Sequence, residues 1–400
     1  MDSQVVIVGA GPAGALLSYL LSSRGIQTTL IERQTDFSRE FRGEVLMPSG
    51  IRALAEAGFS LDDVATVVPN RFEGYLKGQR FVEIDTVDVD TLTPMAVSQP
   101  EVLESLVAAA EQTGAFQFRR GHTVRGLSQD ADGVIDLRLA TTGSNREQTI
   151  RAPYLIGADG RSSVVRKRLA PKVQTRRDPL DVIWFKVPYP EAWTDSRVRF
   201  EIGNGHLLIA IRSPDGLLQI AWIILKGSFG ELRSRGIDQW VEEMCEHADP
   251  ELGAHLKECR KHLSKPFLLN VVTDRVVGWA GRNTLLIGDA AHTMSPVGGQ
   301  GLNLALRDAI VAANELVPAF QKGEDLDLAA ARVEELRGPE VDRIQSMAAV
   351  PPKIAMGKTV FHDAARFAIS RLAGSSLGRA RGAPIMSIFF DGVTKVELTV

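Results

Sequence analysis

The apolar positions of this chain change their period several times. VVIVG (5–9) is a short β-branched run closed by glycine, as a strand buried on both faces requires, and TTLIE (28–32) repeats the pattern. Between them, residues 12–23 carry apolar side chains at helical spacing, which predicts a β-α-β unit. MPSG leads into a helix within 43–58, and short strands follow to about 96. Leu103, Leu106, Val107 and Ala110 share one side of a helix over 101–114. Alternation over 116–140 around the turn DADG predicts a hairpin, and PYLIGADG (153–160) reads as another buried strand.

From about 178 to 275 the texture changes. DVIWFKVP, RVRFEIGNG, HLLIAIRSPDG and LLQIAWIIL are four strand-length runs separated by NG and DG turns, which predicts an antiparallel sheet. Helical spacing returns at 237–262, and NVVTDRVV (270–277) reads as a last strand. After TLLIGDAAH the pattern is helical to the end, with breaks expected at Pro339, at Pro351 and Pro352, and at Pro384. The expected class is α/β, with residues 1–175 and 278–340 as two parts of one domain. A mostly antiparallel β domain (176–277) is inserted between them, and a helical segment (341–400) follows.

Composition narrows the function. A chain of 400 residues with 44% hydrophobic and 24% charged positions can bury a large core, and a net charge of -3 gives no basic stripe for a nucleic acid. Two cysteines build no disulfide framework, so a reducing, cytoplasmic home is expected. MDSQ puts no positive charge ahead of the first apolar run, and no run has the length of a membrane span. Cys245, His247, His255, Cys259 and His262 lie close in sequence but fit no closed zinc spacing, so no metal is expected. Residues 351–390 carry Lys353, Lys358, Arg366, Arg371, Arg379 and Arg381 among apolar positions such as Phe361, Ile369, Phe389 and Phe390. Packing against the cofactor domain, with the arginines solvated, is the expected use of that segment, with a membrane-surface helix as the alternative.

Gly9, Gly11 and Gly14 form G-x-G-x-x-G between a strand and a helix that opens with Pro12 and Ala13. That spacing suits a pyrophosphate laid on a helix start. Glu32 ends the second strand, where a carboxylate accepts ribose hydroxyls and repels a 2'-phosphate, so FAD or NAD is expected there, with Arg33 either covering the adenine or solvated. A second glycine-rich stretch, GDAAHTMSPVGGQGLNLALRDA (288–309), poses a choice between two nucleotides and one long ligand held at both ends. It places Asp289 directly after its glycine and lacks a second fingerprint, which favours one ligand.

Taken with ADGRSSVVR (158–166), these motifs resemble the class A flavoprotein monooxygenases, the aromatic-hydroxylase group related to p-hydroxybenzoate hydroxylase. The resemblance implies an FAD-binding, Rossmann-like domain of the glutathione-reductase type with an inserted substrate-binding sheet. It implies that Asp289 holds the ribityl chain, that Gly299 and the amides of Gly301, Leu302 and Asn303 face the flavin, and that Arg42 and Gln99 approach the cofactor. Asp159 and Gly160 are placed near the pyrophosphate, where Asp159 also suits a helix cap. Pro296 is placed beside the reacting face. NADH or NADPH is the implied transient donor and O2 the oxidant, through a flavin C4a-hydroperoxide.

The substrate is expected between the inserted sheet and the flavin, with Trp184, Lys186, Arg212 and Trp222 as candidate contacts. Gln300 stands where p-hydroxybenzoate hydroxylase has lysine, which argues against a charged benzoate. A small aromatic or polyketide-like substrate is the leading expectation. A reductase, epoxidase or cyclase acting on a prenyl or quinone-type compound, or a redox sensor without turnover, stays open; W-x-W-x-I-P of the flavin halogenases is absent. The oligomeric state is not legible.

Overall fold

The computed structural model describes residues 3–38, 44–86, 92–144, 147–169, 171–176, 178–203, 205–357 and 359–400. Its principal sheet has six strands in the order Ala280–Gly281, Thr284–Leu286, Tyr154–Gly157, Val5–Val8, Thr28–Glu32, Phe116–Arg120. All pairings in it are parallel except that of Ala280–Gly281 with Thr284–Leu286. The helix Pro12–Ser22 presents buried side chains almost all round, Leu16, Leu17, Leu20 and Leu21 among them. It lies between this sheet and the long helix Gln300–Lys322, which explains why its apolar stripe is so wide.

Residues 116–140 behave differently from expectation. Phe116–Arg120 pairs parallel to Thr28–Glu32, and the hairpin begins only at His122–Gln129, returning as Ile135–Thr141. The preceding helix, Gln99–Glu111, is the reason: it carries the chain back across the sheet, so the next strand re-enters parallel.

A second sheet has seven strands in the order Phe267–Leu269, Leu180–Pro188, Leu217–Leu225, His206–Arg212, Arg197–Gly203, Arg71–Leu76, Gln79–Asp85. The four runs of 180–225 are antiparallel neighbours, while Arg197–Gly203 meets Arg71–Leu76 in parallel. The sheet thus draws on two stretches, 71–85 and 180–269, that are distant in sequence. Ile183, Phe185, Val187 and Trp222 face the helices Ile237–Cys245 and Pro250–Glu258, whereas Val182 and Trp184 face the other way. Thr273–Val277 does not extend this sheet; it pairs with Lys172–Arg176 as a separate two-stranded link.

The proline breaks are only partly realised. Pro351 and Pro352 do start a new helix, but Pro339 lies inside Leu326–Ala348, and Pro384 inside Ser376–Asp391. Packing against Gln300–Lys322 and a buried charge network on Arg337 and Glu340 hold the former together across the missing N–H. Helix also stops short of the terminus at Asp391. The tail lies across the principal domain, where Arg24 Nη2 donates to the Val400 carbonyl at 2.5 Å and Asn314 Nδ2 to that of Glu397 at 2.8 Å. Arg366 is buried and donates to the carbonyls of Ile354 and Gly357, while Val360 and Phe361 are exposed; Lys358 lies outside the described residues. No helix among the described residues is long and apolar enough to cross a membrane.

Candidate active site

One cavity of about 1220 Å³ runs from the glycine turn at Gly9 to the seven-stranded sheet. That exceeds the roughly 300–1,000 Å³ of a pocket for one drug-sized ligand, and so gives room for a long cofactor with a substrate beyond it.

The near end is built on close backbone packing. A side chain at Gly14 would collide with the Gly9 carbonyl oxygen and come within 3.2 Å of the Ala158 Cβ, so only glycine lets this helix sit on its turn. The helix has no side-chain cap, and Gly11, Pro12 and Ala13 line the cavity with its free N-terminal end. Glu32 is buried at the adjoining strand end, where its carboxylate accepts from the amides of Ala10 at 2.9 Å and Gln34 at 3.0 Å. Arg33 also lines the cavity and is exposed.

Asp159, whose backbone packs against the Gly9 turn, lines the cavity with Gly160, Asp289 and Gln99. Asp159 accepts from Ser163 Oγ and from the amides of Val164 at 2.6 Å and Val165 at 3.3 Å, so it caps the short helix Val164–Leu169 while bordering the cavity. Burial pushes its carboxyl above the usual carboxylate range, against those hydrogen bonds. Asp308 ties the second glycine-rich stretch into one unit. Its carboxylate accepts from the Gly288 amide at 3.1 Å and from His292 Nε2 at 2.6 Å, and pairs with Arg337 Nε at 2.8 Å. Burial would raise its pKa, but His292 and Arg337 more than offset this and bring it to about 2.

Farther along, Gly299 adopts a left-handed conformation (φ 63°) at the N-cap of Gln300–Lys322, again with no side-chain cap. Gly301 and Leu302 line the cavity at that helix start. Asn303 acts from behind: its Oδ1 accepts from the Met47 amide at 2.8 Å, and its Nδ2 donates to the Gly299 carbonyl at 2.8 Å. Pro296 lines the cavity and closes a turn, its carbonyl accepting from the Gly299 amide at 3.0 Å. Gln300 Nε2 bridges the carbonyls of Gly298 and Phe389, both at 2.7 Å, and so fastens the C-terminal helix over this end. Arg42 lies outside the described residues.

Of the four sheet residues singled out from the sequence, the structure brings only Trp184 to the cavity. Trp222 is a correction: it is on the opposite face, stacked on Trp240 with ring centroids 5.5 Å apart. Arg212 lies over the Tyr189 ring instead, and Lys186 pairs with Asp215 at 2.6 Å. Alternation separates the two faces but does not say which one the helices cover. Sequence reasoning passed over Phe72, Val198, Phe200, Ile209 and Gln219 of this wall, together with Glu44, Ser295 and Met386. The wall strands alternate visibly, which marks their positions as candidates; Glu44 and Ser295 carry no such signal. Of the histidine and cysteine cluster, Cys245 lies in the core behind the sheet and His255 Nε2 lies 2.8 Å from the Pro188 carbonyl, while His262 is exposed.

Residues 2–335 match the family model described as FAD binding domain. The chain is 30% identical over 379 residues to a 6-methylpretetramide 4-monooxygenase of Streptomyces rimosus, covering 88% of each. It is 28% identical to a rifampicin monooxygenase of Streptomyces venezuelae, over 76% of this chain but only 62% of that one. In fold it is similar to p-nitrophenol 4-monooxygenase PnpA from Pseudomonas putida, with a TM-score of 0.80, 20% identity and coverage of 98% and 99% of the two chains.

Proposed function

We propose that this chain, which belongs to the FAD-binding-domain family of class A flavoprotein monooxygenases, hydroxylates a phenolic, polyketide-like compound with NADH or NADPH and O2. It is an FAD-dependent oxidoreductase. The observation that carries the reading is the convergence of two uncapped helix starts, at Gly11 and Gly299, on one cavity that continues to an apolar sheet wall. Two positive helix ends in one cavity suit a single ligand with a phosphate at one place and a developing negative charge at another.

In this reading the principal domain is a Rossmann-like fold of the glutathione-reductase type, and the seven-stranded sheet bounds the substrate. Gly11, Pro12 and Ala13 would hold the pyrophosphate, Glu32 the ribose and Asp289 the ribityl hydroxyls. Gln99, Asp159 and Gly160 would flank the chain between them. The amides at Gly301 and Leu302 would stabilise negative charge on the ring system. When bound, FAD supplies electron transfer from the nicotinamide donor and the activation of O2. Pro296 and Trp184, which line the cavity, would bound the space left for substrate, and Met386, Phe389 and Phe390 from the C-terminal helix would help to close it off. The sheet side offers mainly aromatic and aliphatic surface, which fits a polycyclic aromatic better than a small charged acid.

The test is NAD(P)H oxidation by the FAD-loaded protein with anhydrotetracycline, rifampicin and p-hydroxybenzoate as probes, under isotopically labelled O2. Incorporation of one labelled oxygen atom into a polycyclic phenol is the expected result. Reduction of a prenyl quinone under anaerobic conditions, with no oxygen transfer to any phenol, would replace the reading with a reductase.

A further inference from the structure

The sheet side of the cavity holds few ionisable groups. Glu73 borders it, but its carboxylate is held behind the sheet by Arg199 Nε at 2.7 Å. Glu44 is one. It precedes the strand Val45–Leu46, and its carbonyl accepts from the Val97 amide at 2.9 Å. Glu44, Val45, Ile211 and Gln219 line the main cavity and also a second, small one of about 10 Å³, close to the volume needed for a single water. Ser213 and Pro214 form the far wall of that small cavity. Beyond it Ser213 Oγ donates to Asp215 Oδ1 at 2.5 Å, and Lys186 Nζ donates to Asp215 Oδ2 at 2.6 Å. The Asp215 side chain is 47% exposed, so polar groups reach from the substrate space to solvent.

We propose that Glu44 accepts the proton of a substrate hydroxyl and passes it to solvent through the small cavity beside Lys186 and Asp215. The proposal rests on the phenolic reading of the substrate given above. The O–H bond breaks, its electron pair stays on the phenolate oxygen, and the proton moves to a Glu44 carboxylate oxygen and then to water. The phenolate makes its ring more electron-rich, as oxygen transfer to an aromatic carbon requires. Among the described residues, the charged groups acting on Glu44 are Lys186 and Asp215; its other neighbours across the small cavity, Ala96, Ile211, Ser213, Pro214 and Gln219, are uncharged. Burial pushes the Glu44 carboxyl up to about 7, with Lys186 lowering it and Asp215 raising it. At that value it both takes and returns a proton near neutral pH.

The experiment follows the appearance of the phenolate absorbance after rapid mixing of alizarin with the FAD-loaded protein, across pH. In the wild type the rate should rise with pH through about 7 as Glu44 ionises. Glu44→Gln should lower it roughly 100-fold and flatten the profile. Lys186→Met should move the midpoint up and Asp215→Asn should move it down, which a purely structural Glu44 would not produce. If Glu44→Gln fails to retain FAD, these two variants carry the test by their opposite shifts. Alizarin that binds Glu44→Gln and ionises with the wild-type rate and midpoint would overturn the relay and leave the functional reading standing. Failure of alizarin and anhydrotetracycline alike to bind the wild type would remove the phenolic reading and the relay with it.

Discussion

The two ends of the cavity are backed by buried charge in opposite ways. Behind the cofactor end, Asp308 and Glu340 are matched by Arg307 and Arg337, with His292 alongside; Arg307 and Arg337 both bind Glu340, whose carboxylate also holds the Val393 amide at 2.6 Å. Behind the sheet, Arg199 serves Glu73, Asp249 and Glu251 at 2.7 Å each, and Glu201 is buried beside them with neither carboxyl oxygen hydrogen-bonded. The first network joins the Gly288 loop, two long helices and the C-terminal tail, so it fixes geometry that a bound cofactor needs. The second has a surplus of acid, and so carries a cost that depends on pH. In the proposed reading, rigidity is concentrated where backbone atoms would do the binding.

The largest break in that contrast is at the glycine turn. Gly14→Val forces the helix Pro12–Ser22 off the Gly9 carbonyl, and no flexible side chain is there to give way. The variant should emerge from gel filtration without flavin absorbance, an affinity loss of at least about 100-fold, the scale of nearly 3 kcal/mol. No single substitution on the sheet wall should do this.

Next comes Asp308→Asn. Removing one partner of a buried ion pair costs about 3–5 kcal/mol because the remaining charge is left uncompensated. Denaturant unfolding should show a loss of that size, together with weaker flavin retention because the Gly288 amide loses its anchor.

Glu201→Gln tests the other side and should act with the opposite sign. Burial, with Asp249 added, pushes the Glu201 carboxyl up to about 9, while Arg199 lowers it. A carboxyl whose folded pKa exceeds its unfolded value leaves stability intact below about 4.5 and erodes it as pH rises toward about 9. The amide should remove that erosion, stabilising the protein by roughly 1–3 kcal/mol at neutral pH and above. Equal slopes of stability against pH in the two proteins between those limits would contradict the assignment.

The same division explains what the sequence shows and what it hides. The placing of Gly9, Glu32 and Asp289 at the cavity, and of Gly14 against the Gly9 turn, is legible because each sits within a few residues of its own strand or turn, where spacing determines geometry. The sheet wall is assembled from strands distant in sequence. Nothing local tells that Arg71–Leu76 will lie beside Arg197–Gly203, or that the helices Ile237–Cys245 and Pro250–Glu258 will cover the Trp222 face and leave that of Trp184. Pro339 misleads for a related reason: a local rule about helix breaking yields to tertiary packing along a long helix. Glu44 has no motif at all, and its surroundings exist only once Ile211, Ser213 and Gln219 arrive from the sheet.

The smallest effect sharpens the comparison within a single sheet. Trp184 lines the cavity, and its buried indole N–H has no hydrogen-bond partner among the described residues, whereas Trp222 Nε1 reaches His206 Nδ1 at 3.4 Å on the opposite face. Trp184→Phe keeps most of the apolar wall and deletes one donor, so binding of alizarin should weaken by about 0.5–1.5 kcal/mol, or roughly two- to tenfold, with the unfolding midpoint nearly unchanged. Trp222→Phe should do the reverse, lowering stability through lost packing against Trp240 while leaving alizarin affinity intact. Equal losses of affinity in both variants would mean that the two faces communicate through the sheet, and that the helices behind it shape the substrate space as much as the residues lining it.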